Sequence, residues 1–148
     1  MSSSWINIPD ESDFSLANIP FGVASFAGYS HSTPFCTTAV GNHVINLAVL
    51  EDAGAFDAIR ELLPDTFQQS TLNAFVEQSP VVWPKVRARL VELFREDGGD
   101  GFLRDNQSLQ KACMYEGSKV QMHLPVKIGE YTDFYSSREH ATNVGVSI

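Results

Sequence analysis

Residues 129–145 read Gly-Glu-Tyr-Thr-Asp-Phe-Tyr-Ser-Ser-Arg-Glu-His-Ala-Thr-Asn-Val-Gly. Three carboxylates, two phenols, four aliphatic hydroxyls, a guanidinium and an imidazole crowd into a span with few core-forming residues. Tyr131, Asp133 and Tyr135 alternate with Thr132 and Phe134. In an extended segment that period puts the three polar-tipped side chains on one face. Ser136 and Glu139 stand at the spacing of a capping box, which predicts a helix from about Ser137 to Val144 closed by Gly145. His140 then lies in the first turn, where the positive end of the helix favours a neutral, proton-accepting imidazole. The expected layout is a strand end carrying Asp133 and Tyr135, followed by a helix start carrying His140. Such corners often hold active sites. The plainer readings are an Asp133 that only accepts hydrogen bonds from turn amides, tyrosines half-buried with wet hydroxyls, and a structural histidine.

The rest of the chain must position this segment. At 148 residues it suits one domain with a sizeable core, supplied by ten Phe, four Tyr and two Trp. A net charge of −8 argues against a nucleic-acid or acidic-membrane partner and suits a cation or small ligand. Cys36 and Cys113 lack neighbours at zinc-site spacing. They are expected as free thiols of a reducing compartment, although sequence does not decide whether they pair. The N-terminus shows neither the basic start nor the apolar run of a signal peptide, and no apolar stretch is long enough to span a membrane. A cytoplasmic location is expected.

In chain order, residues 1–13 read as polar and irregular. Strands are predicted over 23–26, 35–40, 44–47 and 120–123, with Gly41-Asn42 as a two-residue hairpin turn. Helices are predicted over 50–63, stopped by Pro64, and around Leu72, Phe75 and Val76, capped by Ser70 or Thr71. Another, opened by Ser79-Pro80 with its exact start left open by Pro84, should carry the apolar stripe Val86, Leu90, Leu93 and Phe94 and end at Gly98-Gly99. The Asp-Gly-rich stretch 98–106 lacks the spaced ligands of a calcium-binding EF-hand and reads as a loop. A last short helix is expected over 109–115, and a domain boundary near Pro125.

Taken together, Met122-His123-Leu124-Pro125, residues 128–137, and His140-Ala141-Thr142-Asn143-Val144-Gly145 closely resemble the fumarylacetoacetase family. Ser12-Asp13-Phe14, Asn18-Ile19-Pro20-Phe21-Gly22-Val23 and Leu72-Asn73-Ala74-Phe75 extend the resemblance over nearly the whole chain. It implies a mixed β and α fold: a small SH3-like β-barrel with added helices over 1–124, then the truncated start of a β-roll catalytic domain over 125–148. It implies hydrolysis of the carbon–carbon bond of 4-fumarylacetoacetate to fumarate and acetoacetate, in tyrosine and phenylalanine catabolism. The expected setting is a cytoplasmic homodimer using calcium, with magnesium also bound. Asp133 matches a carboxylate ligand of the calcium, Tyr135 a tyrosine that contacts substrate, and His140 the histidine that activates the attacking water.

The implied roles make chemical sense. Splitting a β-diketone needs water made nucleophilic at neutral pH, which suits an imidazole. The leaving carbanion is an enolate, whose oxygens a divalent cation can stabilise. Glu130 stands where the family more often has Asp. The family continues well beyond Gly145, so the chain is expected to be an N-terminal fragment, inactive alone. The alternative expectation is a non-catalytic truncated product acting as a binding or dimerisation module.

Overall fold

The computed structural model describes residues 3–28, 32–97 and 101–146. Five antiparallel strands form one curled sheet: β1 (Phe21–Phe26), β2 (Phe35–Val40), β3 (His43–Asn46), β4 (Met114–Glu116) and β5 (Val120–His123). The strand order is β4-β3-β2-β1-β5. β2 and β3 form the expected hairpin, with Val40 opposite His43. Gly41 holds its turn at φ 56°, and a Cβ there would lie 2.6 Å from the Asn7 carbonyl oxygen. Only glycine satisfies both constraints.

The curl shows in the side chains. Phe26 of β1 and Tyr115 of β4 belong to strands separated by two others, which in a flat sheet would place them roughly 14 Å apart. Their ring centroids are 4.8 Å apart, edge to face. With Ala24, Phe35, Val44 and Val120 they fill a small second core on the inside of the half-barrel.

The main core lies on the opposite face. There α3 (Val82–Phe94) buries Val82, Val86, Leu90, Leu93 and Phe94, the stripe legible in the sequence. Pro84 sits in its first turn, where it costs no helical hydrogen bond. The helix stops at Phe94, with extended Arg95 as its C-cap. This is earlier than the expected stop at Gly98-Gly99, which lies outside the described residues. Residues 3–8 are irregular but packed: Trp5 donates its indole N–H to the Leu93 carbonyl at 2.8 Å, and Ile6 is buried.

Three expectations change. The helix expected over 50–63 is instead the short α1 (Leu47–Asp52), capped by Asn46, whose side chain accepts the N–H groups of Ala48 and Val49. It ends in a Schellman motif. Gly54, at φ 83°, donates to the Glu51 carbonyl at 2.9 Å, and Ala55 donates to the Leu50 carbonyl at 3.0 Å. Phe56 and Ile59 then enter the core from turns rather than from a helix face. The short helix α2 (Asn73–Val76) forms where expected, but Leu72 is its N-cap and no side chain caps it. The last predicted helix splits into α4 (Gln107–Cys113), capped by Asn106, and β4, because Val44 of β3 recruits Tyr115 as a ladder partner. Both cysteines are free and buried.

Candidate functional site

The segment that could do chemistry leaves the domain at β5. His123 is tied to β1 through its Nε2, 2.7 Å from the buried Ser25 Oγ. Pro125 accepts the Leu72 N–H at 2.7 Å, and Val126 packs against the main core. Lys127 is held from both sides by one side chain. Its N–H donates to Asn73 Oδ1 at 2.7 Å, and its carbonyl accepts from Asn73 Nδ2 at 3.3 Å.

Beyond that point burial ceases. Residues 127–140 are all exposed, with Ile128 at 69%, Tyr131 at 87% and Phe134 at 76%. The strand expected over 131–135 does not form. An extended segment needs a neighbouring strand for its backbone groups, and none lies beside it among the described residues. The helix does form, as α5 (Arg138–Val146). Its cap is shifted by one residue from the expected Ser136: Ser137 Oγ accepts the His140 N–H at 3.1 Å. Gly145 lies inside the helix rather than closing it.

Tyr135 and His140 meet, with ring centroids 5.3 Å apart and planes inclined by 51°. This pairs a phenol with an imidazole at the mouth of the helix, able to contact a substrate and to accept a proton. Asp133 is exposed and joins neither of them in a hydrogen bond among the described residues. No group of three or more His, Cys, Asp or Glu side chains is placed to hold a metal among those residues. Calcium takes about six to eight oxygen ligands. Asp133 suits such an ion in kind, but one carboxylate does not make its site.

A surface cavity of about 850 Å³, lined by residues that include Pro9, Asp13, Phe14, His43 and Glu116, contains none of the three candidate residues. Sequence reasoning noticed Leu72-Asn73-Ala74-Phe75 as a block but gave Asn73 no role, and it missed the Ser25–His123 contact. Neither lies within a local motif. Each depends on residues 54 and 98 positions apart in the chain.

Comparison with known proteins agrees with this architecture. A family model described as "Fumarylacetoacetase N-terminal" matches residues 17–125. The chain therefore belongs to the fumarylacetoacetase N-terminal family. It is 42% identical to the fumarylacetoacetase FahA of Aspergillus fumigatus over 147 residues, covering 97% of this chain and 34% of that protein. It is also 42% identical to the fumarylacetoacetase of Caenorhabditis elegans over 144 residues, covering 97% of this chain and 33% of that one. Against the human fumarylacetoacetase the identity is 36% over 143 residues, again 97% and 33%. The chain thus spans about a third of the length of the curated relatives it matches. No helix among the described residues is long and apolar enough to cross a membrane.

Proposed function

We propose that the chain is the N-terminal part of a fumarylacetoacetase-type hydrolase, cleaving 4-fumarylacetoacetate to fumarate and acetoacetate in tyrosine and phenylalanine catabolism. The observation that carries this is 42% identity to proteins of that name over almost the whole chain. In the proposed reaction His140 takes a proton from water, and the resulting hydroxide bonds to the carbonyl carbon. The carbon–carbon bond then breaks, its electron pair leaving on acetoacetate as an enolate that is protonated. Tyr135, beside His140, contacts the substrate. Calcium, with magnesium also bound, belongs to the proposal, and Asp133 would be one of its oxygen ligands.

The fold reading is that residues 1–124 form an SH3-like barrel with added helices and that 125–148 open a β-roll catalytic domain. In its favour, the sheet curls into a half-barrel, the family match ends at Pro125, and burial fades after Val126. A cytoplasmic homodimer is part of the same reading. A second reading, a non-catalytic binding or dimerisation module, draws on the exposed apolar side chains of Leu124, Ile128 and Phe134.

The test compares two purified proteins by loss of substrate absorbance, with and without calcium. One is this chain. The other is this chain extended by the remaining two thirds of the Aspergillus relative. Turnover is expected only in the extended protein, and His140→Ala should lower it by about 10²- to 10⁴-fold, the usual worth of a general base. Undiminished turnover after His140→Ala would remove the assignment. Calcium-dependent turnover by the unextended chain would remove the reading of it as an incomplete site.

A further inference from the structure

Residues 128–140, which carry Tyr135 and His140, are all exposed, so the point where the chain leaves the packed residues is the place to look for what aims them. One side chain acts there. Asn73 presents its carbonyl oxygen to the Lys127 N–H at 2.7 Å and its amide nitrogen to the Lys127 carbonyl at 3.3 Å. A primary amide is the group that can donate and accept side by side in one plane. It reproduces what a neighbouring strand would offer to one residue of an edge.

The support behind Asn73 is rigid. Asn73 is the first residue of α2, and two residues on, Phe75 is buried. The Phe75 ring stacks between Phe21, at 4.8 Å, and Phe67, at 5.1 Å. Leu72, just before it, is buried and holds Pro125. The chain thus leaves the domain from two adjacent anchors on one short helix, two residues before Gly129.

We propose that Asn73 is a positioning residue for the candidate site, clamping both backbone groups of Lys127 and so fixing the place and direction in which the segment bearing Asp133, Tyr135 and His140 leaves the domain. Its consequence for turnover rests on the fumarylacetoacetase reading; the clamp itself does not. Glutamine carries the same amide, but on a stem one carbon longer. Aspartate keeps the acceptor and loses the donor, and alanine loses both.

Lys127 makes the clamp directly measurable, because trypsin cuts the Lys127–Ile128 bond only when that backbone can leave its partners and enter the protease. Limited digestion of the purified chain should cut first after Arg138, in the exposed segment, and slowly after Lys127. Asn73→Ala should raise the rate after Lys127 at least tenfold, leaving the rate after Arg138 and the thermal midpoint almost unchanged. Asn73→Asp should give a smaller rise, and it serves alone if the alanine variant does not fold. An unchanged rate after Lys127, or an equal rise at every site, would overturn the clamp. In the extended protein, Asn73→Ala should lower kcat by roughly ten- to a hundredfold, the penalty for a misplaced base, with partial recovery in Asn73→Asp. Full kcat despite a freed Lys127 would show that the clamp positions nothing. These digestion rates are independent of turnover, so failure of the clamp and failure of the hydrolase reading are separately visible.

Discussion

Removing the Glu51 carboxylate should destabilise the domain well beyond what a half-exposed acid ordinarily contributes. Glu51 stands at the end of α1 and accepts three N–H groups from the loop that follows. Thr66 donates to Oε1 at 3.0 Å, Phe67 to Oε2 at 3.0 Å, and the Gln68 side chain to Oε2 at 3.3 Å. Thr66 and Phe67 are buried, so in Glu51→Ala both backbone N–H groups lose their partner. Each orphaned donor costs about 1–3 kcal/mol, giving about 2–6 kcal/mol for the two. At about 2–4 °C per kcal/mol for a chain of this size, the thermal midpoint should fall by roughly 4–24 °C.

Glu51→Gln should behave differently. Burial pushes the Glu51 carboxyl above its ordinary value of 4.5, although the loop N–H groups pull it down. Desolvation of the charge therefore outweighs those bonds. Glutamine removes the charge but keeps an acceptor for only one of the two backbone N–H groups. At pH 7 it should lose less stability than alanine, about 1–3 kcal/mol for the single orphaned donor less what is regained by not burying a charge. The pH dependence follows from the same shift. Just above pH 4.5 the folded chain holds more of this proton than the unfolded chain does. Glu51's contribution is therefore most favourable at low pH and declines as pH rises through its raised pKa. The glutamine variant should lack that decline. Thermal melts of the three proteins between pH 4 and 8, followed by circular dichroism, measure all of this. An alanine variant within about 0.5 kcal/mol of the parent, or a glutamine variant as damaged as the alanine one, would refute the reasoning.

Deleting residues 131–148 should leave a cooperative melt with a midpoint within about 2 °C of the parent, since residues 131–146 contribute nothing to the main core. Loss of secondary structure in the deletion would contradict the two-part reading. Burial pushes the Cys36 thiol up to about 11, helped by Glu51, and that of Cys113 up to about 12. Neither should react with iodoacetamide at pH 8 until the chain is unfolded, as intact mass would record; labelling of the folded chain would contradict this. Ser137→Ala removes the side-chain acceptor of the His140 N–H. It should cost α5 about 0.5–2 kcal/mol, read as loss of helical chemical shifts over 138–146 with no change in the sheet.

Much of the fold is local enough to be legible in the sequence. The bounds of β2 are the predicted ones, since Phe35–Val40 is β-prone throughout and a glycine turn closes it. The four stripe residues of α3 lie at helical spacing and are all buried as expected. The capping serine of α5 was misplaced by one position, as two consecutive serines make such a cap ambiguous. The candidate residues Asp133, Tyr135 and His140 were also legible, because their types and order are a property of the chain.

Other features needed the third dimension. Residues 53–63 carry a helical pattern, but Gly54 ends α1, and core contacts hold Phe56 and Ile59 in turns. Met114–Glu116 has helical neighbours and becomes a strand because β3 offers it a ladder. Tyr115 meets Phe26 only because the sheet curls. Asn73 holds Lys127 across 54 residues. A local pattern states what a segment prefers by itself, whereas unpaired backbone groups and uncovered apolar faces must be satisfied by whatever the fold brings beside them. Sequence therefore determined which chemical groups the candidate segment carries, and tertiary structure alone decided where that segment is tied down.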